Sequence, residues 1–161
     1  MNNHKSGFVN IIGNPNVGKS TLMNVLSKEK MSVVTSKPQT TRHRILGLLS
    51  DDDYQIVFSD TPGMIENPQY GMQNSMNKFA WASFEDADIL LMVTDIFEKY
   101  TGEEKLIKAL SETSVPKFLI INKIDLDKSG KADETVRFWE KHVAFDEVFI
   151  ISAQEKINTD N

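Results

Sequence analysis

Cysteine is absent from the 161 residues, which excludes disulfides, zinc–thiolate sites and a catalytic thiol. Long apolar runs are missing too. The longest unbroken one, Ile89 to Val93, falls far short of the ~20 residues that a membrane-spanning helix needs. The amino end, Met1-Asn2-Asn3-His4-Lys5-Ser6, has no apolar core of a secretory signal. Basic charge is in deficit: 18 Lys and Arg face 23 Asp and Glu, a formal net charge of −5. Binding of nucleic acid by broad electrostatics is therefore not expected of this segment. Neither an internal repeat nor a low-complexity tract occurs. With 40% hydrophobic and 25% charged residues, the chain reads as one globular domain with a real core, of cytoplasmic type.

What is present begins at residues 13 to 20, Gly13-Asn14-Pro15-Asn16-Val17-Gly18-Lys19-Ser20, a complete G-x-x-x-x-G-K-[ST] phosphate-binding loop. The apolar run Phe8, Val9, Ile11, Ile12 precedes it, and a helical pattern opens at Lys19. A strand feeding a glycine-rich turn into a helix N-terminus aims several backbone N–H groups at one spot, with the helix dipole behind them. Lys19 is placed to reach β- and γ-phosphates, and the Ser20 hydroxyl to complete a magnesium shell. An ordinary strand–turn–helix corner is the competing reading, and the flanking elements argue against it. The chemistry indicated is binding of a nucleoside triphosphate.

Apolar runs alternate with helical patterns, the signature of a parallel α/β sheet. The strand candidates are Phe8–Ile12, Ile45–Ser50, Gln55–Ser59, Ile89–Thr94, Lys117–Ile121 and Glu147–Ile151. The second and third read as a hairpin turning at Asp51-Asp52-Asp53, so one pair should be antiparallel. Helices are expected around Leu22, Val25 and Leu26; Met72, Met76, Phe79 and Ala80; Leu106, Ile107 and Leu110; and Val136, Trp139 and Val143. The Met-bearing stripe, Trp81 and Trp139 read as packing residues. Residues 31–44 and 61–73 carry no regular pattern, and loops of that length inside a compact domain are usually functional.

Three further motifs each follow a strand candidate. Asp60-Thr61-Pro62-Gly63 can hold magnesium through water at Asp60 and offer the Gly63 N–H to a γ-phosphate, although the same letters also spell a plain turn. Asn122-Lys123-Ile124-Asp125 supplies a carboxylate able to accept both the ring N1–H and the exocyclic amine of guanine. Adenine has no such donor pair and would leave Asp125 desolvated and unpaired. Asn122 is expected to brace neighbouring loops, and the Lys123 stem to lie over the base. At Ser152-Ala153, small residues let a backbone N–H reach the guanine O6. This last motif is weak alone and gains its value from order and spacing.

The arrangement resembles the translation-factor-related GTPases, and within them the Era subfamily. The match rests on Gly13 to Ser20 with Thr21 and Leu22, on Asp60 to Gly63, on Asn122 to Asp125, and above all on Pro38-Gln39-Thr40-Thr41-Arg42-His43-Arg44-Ile45. Sister groups such as the EngA-like ribosome factors usually continue the T-T-R core with aspartate, not with His43-Arg44. The resemblance runs from about Ser6 to Gln154 and implies a P-loop NTPase G domain: a six-stranded, mostly parallel sheet with one antiparallel strand and helices on both faces. It further implies that Thr41, with Thr40 as the alternative, binds magnesium in the GTP state. Arg42, His43 and Arg44 read either as a partner-facing basic patch or as a solvated loop. Asn16 matches the position that binds potassium in relatives hydrolysing GTP without an arginine finger; stabilisation of the turn after Pro15 is the other reading. The implied biology is a GTP-hydrolysing switch in small ribosomal subunit assembly, acting on that subunit and its RNA, with peripheral membrane association of some members.

Two departures qualify it. Met64 stands where small signalling GTPases carry a water-positioning glutamine, and a thioether neither orients nor deprotonates water. Slow intrinsic hydrolysis is expected, and a nucleotide-sensing adaptor with negligible hydrolysis is the alternative. A P-loop kinase using ATP is disfavoured by Asp125. Secondly, full-length Era-like proteins continue through another helix into an RNA-binding KH domain. Only Glu155 to Asn161 follow Gln154 here, so an uncovered apolar sheet face is expected.

Overall fold

In the computed structural model, the described residues are 4–14, 16–27, 31–32, 44–60, 84 and 86–160, with side chains described for all but 27, 31–32, 44–46 and 60. The Met-bearing stripe, Trp81 and most of both pattern-free loops lie outside them. Seven strands form one sheet in the order β2-β3-β4-β1-β5-β6-β7. They are β1 (Lys5–Ile12), β2 (Met31–Ser32), β3 (Arg44–Ser50), β4 (Tyr54–Asp60), β5 (Ile89–Asp95), β6 (Lys117–Asn122) and β7 (Glu147–Ile150). The helices whose bounds fall within the described residues are α1 (Lys19–Ser27), α2 (Lys105–Glu112) and α3 (Lys131–His142). All six strands expected from sequence are present. The added seventh, β2, is two residues long at the sheet edge, too short for any hydrophobic alternation to reveal it. Val143, expected in the last helix, is the buried residue just beyond it.

The β3–β4 pair is antiparallel, as the acidic triplet suggested, and the turn closes with Asp51 N–H donating to Tyr54 O at 2.8 Å. A bulge between Ile45 and Gly47 adjusts the register. β4, β1, β5, β6 and β7 are mutually parallel, and this is what gathers the motifs. Five strands end at one edge, with Ile11 paired to Asp60, Ile12 to Met92, Asp95 to Asn122 and Ile121 to Ile150.

Alternation along the buried strands divides the core between two faces. Ile12, Leu90, Met92, Leu119 and Ile121 pack against α2 and α3, through Leu106, Leu110 and the wholly buried Trp139. Ile11, Leu91, Val93 and Ile120 turn to the other face, where Val17, Leu22 and Met23 cover them. Trp139 is a packing residue, as read from sequence: its ring stands edge-on to Tyr100 at 4.9 Å and to Phe145 at 5.9 Å.

Asp127 caps α3 from a distance. Its carboxylate accepts the N–H groups of Ala132 (2.9 Å), Lys131 (3.0 Å) and Ser129 (3.2 Å), orphan donors of the first turn and its approach. These bonds, Ala132 foremost, hold its pKa below the ordinary aspartate value. A lowered folded pKa means stabilisation that is present above the ordinary value and lost as pH falls through the folded one. Thermal melting of Asp127→Asn from neutral pH down to about pH 2 should therefore show a deficit near neutrality that closes in acid. A constant deficit would contradict this account.

Among the described residues, the face served by α1 is incompletely covered. A groove of about 350 Å³ is walled by apolar side chains of the sheet and of α1, among them Leu26, Ile56, Phe118 and Phe149, with Asn158 and Thr159 at its rim. An open groove lined by half-buried apolar side chains favours association. The 161-residue chain should bind an environment-sensitive apolar dye and self-associate on sedimentation, and Phe149→Lys should reduce both. Absence of both in the unsubstituted chain would show the groove to be covered.

Candidate functional site

The turn from β1 into α1 is fixed by contacts that admit no side chain at its two glycines. A Cβ on Gly13 would collide with the Val93 carbonyl oxygen of β5, and one on Gly18, where φ is +98°, would collide with the Asn122 amide nitrogen. Val17, 1% exposed, pins the middle of the turn into the core. Asn16 is exposed and takes φ +70°, a left-handed conformation that asparagine tolerates better than most residues. Lys19 Nζ donates to Gly13 O at 2.8 Å, folding the lysine over the loop. The helix begins at Lys19, with Leu22 N–H donating to Gly18 O at 2.9 Å. The first-turn N–H groups near Ser20 and Thr21 have no intrahelical acceptor and make an anion site.

Asn122, 3% exposed at the end of β6, braces two loops, as its motif suggested. Its amide nitrogen donates to Val17 O of the phosphate loop, and its amide oxygen accepts from Ala153 N–H, each at 2.9 Å. Lys123 follows with φ +67°. Its ammonium donates to Asn16 O at 2.8 Å and pairs with Asp95 at 2.6 Å. The second Asp95 oxygen accepts the N–H groups of Phe97 and Glu98 at 2.8 and 2.9 Å. Asp125 lies exposed on a 3-10 turn spanning Ile124–Leu126. Gly18, Thr21, Asn122, Lys123, Asp125 and Ser152 line one cleft of about 190 Å³, joined by Phe97, Leu126 and Gln154. Larger depressions exist elsewhere, but this one unites the phosphate loop with the candidate base-reading carboxylate.

Gly13, Asn14, Asn16, Val17, Gly18, Lys19, Ser20, Thr21, Asn122, Lys123, Asp125, Ser152 and Ala153 thus converge on one edge of the sheet. The backbone of Asp60 ends β4 at the same edge, opposite Ile11. Pro15, Thr40, Thr41, Arg42, His43, Thr61, Pro62, Gly63 and Met64 lie outside the described residues. At Ser152-Ala153 the Ala153 N–H donates to the buried Asn122 amide oxygen, which needs a donor, and the Ser152 N–H donates to Ile157 O at 3.1 Å. Asp95, Phe97, Glu98 and Gln154 were not foreseen. Only Asp95 left a signal, a carboxylate closing an otherwise apolar strand.

Comparison with known proteins agrees with this geometry. The family model described as "50S ribosome-binding GTPase" matches residues 8–123. GTPase Era of Clostridium botulinum (strain Langeland) is 44% identical over 157 residues, 97% of this chain and 53% of that protein. GTPase Era of Clostridium acetobutylicum is 45% identical over 158 residues, with the same shares covered. The chain spans about half the length of the curated relatives it matches. Among solved structures, Era of Aquifex aeolicus bound to GDP and aluminium fluoride superposes with a TM-score of 0.75 at 35% identity, covering 97% of this chain and 54% of that one. Era in complex with MgGDPNP and a segment of 16S ribosomal RNA gives 0.74 at 36%, covering 98% and 54%. The family match runs from the first buried strand to Lys123, which ties the phosphate loop to the cleft, and the chain belongs to the 50S ribosome-binding GTPase family.

Proposed function

We propose that the chain binds guanine nucleotides and hydrolyses GTP to GDP and phosphate as a molecular switch. The observation that carries this reading is Asn122, whose two hydrogen bonds lock the phosphate loop and the 152–153 loop around a cleft lined by Asp125. In that cleft the Asp125 carboxylate accepts the two guanine donors, and the Lys123 stem covers the ring. The first-turn N–H groups of α1 cradle the phosphates, and Lys19 moves from Gly13 O to the β- and γ-phosphate oxygens. Water attacks the γ-phosphorus in line, without a covalent intermediate, and stabilisation is electrostatic. Gly63 N–H supports the γ-phosphate. Met64 leaves the water unoriented, so turnover is slow without an activator.

The oxygen donors fit magnesium: a hydroxyl at the start of α1 and a carboxylate closing β4 are the hard ligands that ion takes. Ser20, Thr41 and, through water, Asp60 would hold it, and the bound ion would neutralise charge on the phosphates. Asn16 is the proposed ligand of a potassium ion. Similarity to Era supports a role in small ribosomal subunit assembly in the cytoplasm, with peripheral contact at the inner membrane. A net charge of −5 favours placing RNA contact in the part of the Era relatives that this chain does not match.

Single-turnover phosphate release with and without small ribosomal subunits tests the switch: stimulation supports it, and no hydrolysis under either condition leaves a nucleotide-sensing adaptor. Asp125→Ala should weaken GDP binding about 100-fold or more, through loss of two charge-assisted hydrogen bonds, and fluorescent-GDP titration reads this directly. An unchanged affinity would remove Asp125 from base recognition. Replacing sodium by potassium should raise GTP turnover severalfold, and Asn16→Ala should abolish the difference. Equal rates in both salts would rule out the cation at Asn16.

A further inference from the structure

The end of β5 and the segment that follows it, Asp95 to Tyr100, hold the phosphate loop on both sides of Pro15. On one side Asp95 fixes Lys123, whose ammonium donates to Asn16 O. On the other, the Asn14 amide nitrogen donates to Glu98 Oε1 at 2.8 Å, with a longer contact of 3.4 Å to the Tyr100 hydroxyl. Glu98 is itself held by two hydroxyls on its second oxygen, Thr94 at 2.7 Å and Tyr100 at 2.6 Å. Both are anchored: Thr94 is fully buried in β5, and Tyr100 stands edge-on to the wholly buried Trp139. Burial, followed by the hydrogen bond to Glu98 and the charge of Glu98, pushes the Tyr100 phenol well above its ordinary pKa, so it remains a donor. An ionised carboxylate only accepts, so Asn14 must present its NH₂ group to Glu98.

We infer that Glu98 is a positioning residue for the phosphate loop, clamping Asn14 to β5 so that the loop's N–H groups are set before phosphate arrives. The inference rests on the nucleotide-binding reading above and extends it to a residue outside the motifs. Donors held in advance cost nothing to order on binding. GDP and GTP both use the cradle, so loss of the clamp weakens both alike and acts on KM rather than on kcat.

The test is titration of fluorescent GDP and a fluorescent GTP analogue, together with steady-state GTP turnover, on the 161-residue chain. Glu98→Ala should raise both dissociation constants about tenfold, with kcat within about twofold. Glu98→Gln should recover most of the affinity, because its carbonyl accepts from Asn14 while its NH₂ donates to the Thr94 or Tyr100 hydroxyl oxygen. Asn14→Ala should match Glu98→Ala, and the double variant should be no weaker than either. Tyr100→Phe, which removes one of three donors and keeps the aromatic packing, should give about a threefold loss even if Glu98→Ala fails to fold. Additive effects in the double variant, or unchanged affinity in Glu98→Ala or Tyr100→Phe while the unsubstituted chain binds GDP, would overturn the clamp. Failure of the unsubstituted chain to bind GDP would overturn the nucleotide reading itself.

Discussion

A single buried carboxamide sets the geometry on which the site depends. Asn122 has no water to fall back on, so both ends of its amide must find protein partners, and they find them on two different loops. That requirement explains Gly18, whose missing side chain leaves room for the Asn122 amide. It also explains why the Ala153 N–H is engaged before any base is considered. The phosphate loop, the turn that carries Asp125 and the last loop are therefore tied together through one side chain. Strand register supplies the platform: β1, β4, β5, β6 and β7 all point their carboxyl ends at the same edge, where ligands bind in open parallel sheets.

Around that brace runs a second ring of polar contacts. Asp95 and Glu98 each take donors from two directions, one from their own loop or strand and one reaching toward the phosphate loop. The two carboxylates flank the same turn without meeting; Asp95 holds Lys123 and the Phe97 N–H at the cleft wall, whereas Glu98 faces Asn14. The phosphate loop is thereby held by backbone sterics at Gly13 and Gly18 and by charge-assisted bonds at Asn14 and Asn16. Sterics prevent collapse of the loop, whereas the charged bonds oppose its opening.

Legibility from sequence followed the range of the interaction concerned. The phosphate loop, N-K-x-D and the hairpin at Asp51-Asp52-Asp53 are local patterns, and their physics is written within a few residues. The six longer strands were readable from their apolar runs, as at Ile89–Val93 within β5. β2 was not, since two residues carry no period. Glu98 was invisible for another reason: its partner Asn14 lies 84 positions away, and nothing in Glu-Lys-Tyr distinguishes it from a solvated loop. The Asn122–Ala153 bond joins residues 31 positions apart, so no local pattern shows it.

The capping carboxylate of Asp127 has a further consequence for the turn that carries Asp125. From Asn122 to Asp127 the chain passes without a break from a core strand, through the 3-10 turn that carries Asp125, into the cap of α3. Recognition loops commonly belong to the least protected part of a fold. Here the turn is stitched at one end to the sheet and at the other to the helix that buries Trp139. Its amides should open with that helix and strand as one cooperative unit, so the segment that carries Asp125 inherits the exchange protection of the core.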